Sequence, residues 1–345
     1  MPFSSRCGSL DSTSAHDRSI RPARAGQAGE TTRRARLRAA ALLGAGLLLA
    51  AAGCGGGPAG TAGTGAAGTS GKPGILAAFY PLEWMTAKVA GPDAQVTTLT
   101  QPGVEPHDLE LDPRQIASVE QAGLVVYIKG VQPAVDEAVG EQAPDKAFDV
   151  ATAISTLPST GDEEGHAEEE GHEEPSYDPH VWLDPTRLAT AVTKLGDRLA
   201  AADPAHAAGY AARAKSTVAE LTALDGELRA GLATCKSRTL VTSHSAFGYL
   251  ADRYGLKQVG ISGLDPEAEP SPARLAEVAR VAKQEGVTTI FTEELVSPKV
   301  AEVLAKEVGA TTAVLNPIES RPKSGDYLSA ARANLTVLRS ALGCS

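Results

Sequence analysis

"DPAHAAGYAARAKSTVAELTALDGELRAGL" (residues 203–232) is the stretch that divides the chain. Asp203 followed by Pro204 reads as a helix start, since an aspartate accepts from the free amides of a first turn and a proline loses nothing there. Val218, Leu221, Leu224, Leu228 and Leu232 then recur at helical spacing. A helix from Pro204 to Leu232 would hold 29 residues and run about 43 Å at 1.5 Å per residue. That is long for the inside of one compact lobe and suits a rigid strut between two.

Both flanks alternate short β-branched runs with amphipathic stretches. The predicted strands are Ile75–Phe79, Val96–Thr100 and Leu124–Ile128 on one side, and Thr239–Ser243, Gln258–Ser262, Thr288–Glu293 and Thr312–Asn316 on the other. Predicted helices include Pro81–Gly91, Asp112–Ala122, Pro185–Ala202, Pro272–Glu285 and Pro298–Val308. Strand, helix, strand at this spacing predicts parallel sheets covered on both faces. The expected class is therefore α/β, with lobes over 73–203 and 233–345 joined by the helix 204–232.

The N-terminal end is read apart from the fold. Arg33, Arg34, Arg36 and Arg38 precede an apolar run, Ala39 to Ala52, too short to span a bilayer, and the run closes on "AAAGC" at Cys54. Residues 1–53 thus resemble a lipoprotein signal peptide, with an upstream extension before Thr31 and Cys54 as the lipidated N-terminus of the mature chain. A twin-arginine route fits the residues around Arg33-Arg34 poorly. Gly55 to Gly71 is rich in Gly, Ala and Thr and reads as a flexible tether to residue 72, with a coil reach of about 20–25 Å.

The chain has 32 basic and 42 acidic residues, of which the leader takes 8 and 3, leaving 24 against 39. That balance argues against a nucleic-acid partner, which needs clustered positive charge, and is compatible with a soluble body held on a membrane by lipid. Of the mature cysteines, Cys54 is assigned to the lipid. Outside the cytoplasm Cys235 and Cys344 read as a disulfide, two free thiols being the alternative.

The candidate metal ligands follow strands. His107 comes after the strand ending at Thr100, His244 after the one ending at Ser243, and Glu319 after the one ending at Asn316; His180 precedes the helix Pro185–Ala202. Loops beyond the carboxyl ends of parallel strands converge on a crevice, so two ligands from each half would meet in the cleft. Three imidazoles and a carboxylate form a closed four-coordinate set suited to zinc, with neither thiolates nor the oxygen-rich shell of calcium or magnesium. The separations of 73, 64 and 75 residues make no local motif, and each histidine alone reads as readily as a hydrogen-bonded core or surface residue.

The motifs "AAFYPLEWMTAKVAG", "GVEPHDLELDP", "DPHVWLDP", "VTSHSAFGYLADRYGL", "GISGLDPEAEPSPARL", "FTEELVSPKVAEVLAKEVGA" and "VLNPIES", in that order over residues 74–343, resemble the metal-binding lipoproteins of ABC-type zinc and manganese importers. The resemblance implies two α/β lobes joined by one long helix, with the metal in the cleft between them. It implies His107, His180 and His244 as ligands and Glu319 as the fourth, as in zinc-type relatives with an Asn-Pro-Leu-Glu motif. Ile318 departs from that motif's leucine. Manganese-type relatives carry an aspartate where this chain has Asn316 and tend to a carboxylate where it has His244, so zinc is expected over manganese. The implied function is a lipid-anchored, monomeric receptor that captures Zn2+ outside the membrane and presents it to an importer permease. A manganese receptor and an adhesin-like surface lipoprotein are the alternatives; a metallohydrolase would keep a coordination position open for water, which this set fills.

Other polar residues carry less. Asp108, Asp178 and Asp184 could orient imidazoles or serve as caps and solvated groups. Glu293 and Glu294 read as exposed or packing residues, and His206 as a surface residue. His166 and His172 lie in the acidic run 161–176, too charged to pack. They are expected to act as a weak accessory zinc collector.

Overall fold

Two parallel sheets of four strands make up the computed structural model, which describes residues 72–159 and 176–345. The leader, Cys54, and His166 and His172 lie outside the described residues. The first half runs β1 (Gly74–Ala77), α1 (Tyr80–Ala90), β2 (Gln95–Thr98), α2 (Pro113–Gln121), β3 (Leu124–Tyr127), α3 (Pro133–Gln142) and β4 (Ala147–Asp149). Then come α4 (Pro185–Ala202) and α5 (Ala207–Gly231). The second half runs β5 (Thr239–Thr242), α6 (Gly248–Tyr254), β6 (Lys257–Gly260), α7 (Pro272–Gln284), β7 (Thr289–Thr292), α8 (Lys299–Val308), β8 (Thr311–Val314) and α9 (Tyr327–Leu342). The sheet orders are β2-β1-β3-β4 and β6-β5-β7-β8, the same pattern twice. The central strands β1, β3, β5 and β7 are mostly buried, consistent with helices on both faces.

The long helix starts later than its sequence predicts. Residues Pro204–His206 form a 3-10 turn and α5 runs from Ala207 to Gly231. The turn is held by Asp203, whose Oδ2 lies 2.7 Å from His206 Nδ1 and accepts from Tyr210 Oη at 2.9 Å. His206 is exposed there, as expected. Nor is α5 a free strut. Its first half packs on α1 and α4: Gly196 of α4 has no room for a side chain, since a Cβ there would come within 2.8 Å of Ala214 Cβ. Arg213 donates to the carbonyls of Val89 and Ala90 and pairs with Asp93 at 2.7 Å. Its second half is tied to the other lobe by Asp225 with Arg253 (2.9 Å) and Glu227 with Arg332 (2.7 Å).

A disulfide joins Cys235 to Cys344 across 109 residues of sequence. Beside it, the amides of Lys236 and Ser237 both donate to Leu342 O, so the end of α9 is fastened to the segment after α5. A cross-link closing so long a loop restricts the unfolded chain most. Replacing both cysteines by serine should cost about 2–5 kcal/mol of stability in chemical denaturation; a loss under about 1 kcal/mol would contradict this account.

Candidate metal centre

Each ligand candidate is presented by a short irregular segment at a strand or helix end. His107 lies between β2 and α2. Gln115 in the first turn of α2 ties both ends of that segment: its side chain donates to Leu99 O at 3.0 Å and accepts from Asp112 N at 2.9 Å. Asp112 caps α2 by accepting from Arg114 N and Gln115 N. His107 N donates to Glu105 Oε1 at 3.2 Å.

His180 and His244 are held by one device used in both lobes. Asp178 Oδ1 lies 2.9 Å from His180 N, which donates to it, and 2.8 Å from His180 Nδ1. Glu293 is placed likewise against His244, with Oε1 accepting from the backbone N at 3.2 Å and Oε2 at ion-pair distance, 2.8 Å, from Nδ1, though not aligned for a hydrogen bond there. In each case a buried carboxylate fixes the ring and turns Nε2 inward, the usual way an outer partner sets the tautomer and orientation of a metal-binding imidazole. Tyr249 Oη fixes Asp178 in turn, donating to its carbonyl at 2.6 Å.

Glu319 stands in the turn after β8. Ile318, just before it, has φ +62°, the one non-glycine residue among those described in the left-handed region. For a β-branched side chain that conformation costs on the order of 1–3 kcal/mol. Ile318 N donates to Asn316 Oδ1 at 2.6 Å, and Trp182 Nε1 reaches across from the first lobe to donate to Pro317 O at 2.7 Å.

The four side chains meet. Glu319 Oε1 is 3.5 Å from His107 Nε2, 3.9 Å from His180 Nε2 and 3.8 Å from His244 Nε2. The Nε2 atoms of His180 and His244 are 3.3 Å apart, and all four ligand atoms lie within 4.8 Å of one another. A tetrahedron with ligand distances of 2.0–2.1 Å has edges of about 3.3 Å, so the group is slightly wider than a zinc-sized tetrahedron. His180, His244 and Glu319 are buried and His107 is nearly so. Neither oxygen of Glu319 has a hydrogen-bond partner, nor has His107 Nε2, although buried polar atoms are ordinarily paired.

Burial sets the charges. It pushes His107 down to about 4, with help from the charge of His244, and lowers His180 against the pull of Asp178. Burial also acts against a charged His244, but the carboxylate of Glu293, together with those of Glu319 and Glu105, outweighs it and pushes that ring up to about 9. Glu319 is pushed up to about 7 by burial, and so is Glu105, by burial and then by the nearby charge of Glu319.

Of the other predicted residues, Asp178 orients His180, while Asp184 caps α4 and pairs with Arg187 at 2.6 Å. Asp108 and Glu294 are exposed. Glu293 takes the packing role of its two expected ones: it is buried against His244, one residue past the central strand β7, a contact its place in the sequence does not announce. Glu105, whose Oε2 is buried without a partner, was also not anticipated.

Residues 75–341 match the family described as the periplasmic zinc-uptake complex component A, ZnuA. Among curated proteins, the zinc-binding lipoprotein AdcA of Streptococcus pneumoniae is 38% identical over 278 residues, covering 78% of this chain and 56% of AdcA. The high-affinity zinc uptake system protein ZnuA of Bacillus subtilis is 35% identical over 277 residues, covering 78% of this chain and 87% of that one. The chain thus spans little more than half the length of the AdcA relatives. Among solved structures, the laminin-binding protein Lmb of Streptococcus agalactiae, described as bifunctional with adhesin and metal transporting activity, superposes with a TM-score of 0.69 at 33% identity, covering 78% of this chain and 99% of Lmb. The Zn(II)-bound ZnuA-like domain of S. pneumoniae AdcA gives 0.65 at 35% identity, covering 79% and 99%. No described helix is long and apolar enough to cross a membrane. On the matched residues and the extent of these similarities, the chain belongs to the ZnuA family of zinc-uptake components.

Proposed function

We propose that this chain is an extracytoplasmic receptor that binds Zn2+ through His107, His180, His244 and Glu319 and passes it to an ABC-type importer. The observation that carries the reading is the convergence of four ligand atoms from both lobes within 4.8 Å, with the Glu319 oxygens and His107 Nε2 left unpaired. Three nitrogens and one oxygen favour zinc over manganese, which prefers carboxylate and water oxygens. Glu319 fills the fourth position, which favours a carrier over a hydrolase needing a metal-bound water. One chain supplies the whole ligand set, in keeping with a monomer. The lobes 73–203 and 233–345 would close on the ion across the linking segment 204–232, and a lipidated Cys54 would hold the body at the membrane near its permease. The lipoprotein name of a relative supports that anchor.

Competition titration against a chromophoric chelator tests the reading. One tight zinc per chain, undisplaced by equal manganese, is expected; displacement by manganese would overturn the choice of metal. Two further outcomes follow from the roles assigned. Glu293→Gln keeps the size of the side chain but weakens its hold on His244, and above pH 9, where that ring is neutral with or without the carboxylate, it should reduce zinc affinity about 10–100-fold; an unchanged affinity there would remove Glu293 from the support of the site. Deleting residues 161–174, which carry His166 and His172, should remove weak secondary zinc binding and leave the tight ion in place. Loss of the tight ion would show that this segment is part of the main site.

A further inference from the structure

Glu319 reaches the cleft from a turn whose backbone is in a conformation its own residues disfavour, and that turn is held from a distant helix. Ile318 is β-branched, 1% exposed and at φ +62°. Such a conformation persists only where the surroundings impose it. The turn begins at Asn316, and there Asn334 of α9 grips the main chain on both sides: Asn316 N donates to Asn334 Oδ1 at 3.0 Å, and Asn334 Nδ2 donates to Asn316 O at 2.5 Å. One amide side chain thus replaces a strand partner at the point where β8 has ended. Asn316 Oδ1 is thereby placed to accept from Ile318 N. Asn334 is itself buried, with 5% exposure, and its side-chain hydrogen bonds go to Asn316 and not to any of the four ligand side chains.

We infer that Asn334 is a positioning residue for the metal site, clamping the Asn316–Ile318 turn so that the Glu319 carboxylate is already aimed at the three imidazoles before an ion arrives. The inference rests on the proposed ligand set. It extends that set to a residue 15 positions further along the chain, on a helix that contributes no ligand. Without the clamp the strained turn relaxes, Glu319 withdraws, and the ion keeps only its histidines. Preorganisation of this kind holds affinity by sparing the site the cost of ordering.

The test is a double-mutant cycle read with zinc alone. Asn334→Ala should weaken zinc binding at least tenfold in the wild-type background and have no effect on affinity in a Glu319→Ala background, because the clamp acts only through that carboxylate. With Co2+ as the probe, the visible absorption of Asn334→Ala should shift to resemble that of Glu319→Ala. Asn334→Leu, which fills more of the volume and lacks both polar atoms, gives the same test should the alanine variant fail to fold. Equal weakening in both backgrounds would overturn the inference, since general loosening of the lobe would then be the cause; so would unchanged affinity. A wild-type chain that binds no zinc would instead overturn the ligand set itself.

Discussion

His180→Ala should lower zinc affinity by about a thousandfold or more, beyond the 10–100-fold typical of losing an outer partner. The ring is fully buried and its space is walled by Trp182 and His244, with ring centroids 5.2 Å away in both cases. Water would have to enter an enclosed position to replace it. The substitution also strips Asp178 of its Nδ1 partner while leaving that carboxylate buried, a state that costs free energy with or without an ion. His107→Ala should be the milder of the two. Its segment is the most exposed of the four, with Gly103 and Val104 open to solvent, so water can take the vacated coordination position. Chelator competition on both variants, with thermal melts to confirm folding, measures the ranking. Equal losses would show that burial does not decide how much each ligand contributes.

Zinc affinity should also fall steeply with acidity, and in two stages. The ion needs the lone pair on His244 Nε2, and that ring is charged below about 9. Binding therefore expels a proton across the range from pH 9 to 7, and affinity drops about tenfold for each unit the pH falls. Below about 7 the metal-free site also holds a proton on its buried carboxylates, Glu319 and Glu105, so a second proton must leave and the slope approaches about a hundredfold per unit. His107, held down to about 4, adds nothing above pH 5. The sign is fixed by the raised values: a group protonated in the free site opposes the cation until the pH climbs past it. Calorimetry in buffers of different ionisation enthalpy counts the protons, about one at pH 8 and approaching two at pH 6. No release at pH 8 would show that Glu293 does not keep His244 charged.

Much of the architecture is legible in the residues because strongly apolar runs have few alternatives. Runs such as Leu124-Val125-Val126 and Thr289-Ile290-Phe291, short and rich in β-branched and aromatic residues, read as covered strands, and α4 begins and ends where Asp184-Pro185 and Asp203-Pro204 bracket it. The strand Ala147–Asp149 escapes notice because three residues with one large apolar side chain carry no period. The 3-10 start of the linking segment depends on an Asp203–His206 pairing that competes with the helix locally. At the site, separations of more than sixty residues carry no local signal, so the ligands are legible only through motifs in a known order. Glu293 and Asn334 are beyond even that. One is a carboxylate at a strand end and the other an asparagine in an amphipathic helix, and only the fold shows what each faces.

The two sheets share one strand order, and the segments beyond the last strands, β4 and β8, lead to His180 and Glu319. On the proposed ligand set each half of the chain owns half of a chelate, and a bound ion would be a cross-link between two bodies of the same design. An ion present at a thousand times its dissociation constant would stabilise the folded chain by about 4 kcal/mol, and that gain would be registered as cohesion between halves. A half expressed alone would offer two donors, His107 with His180 or His244 with Glu319, and hold zinc no better than a surface pair. On that reading the protein would detect zinc by whether its two halves hold together.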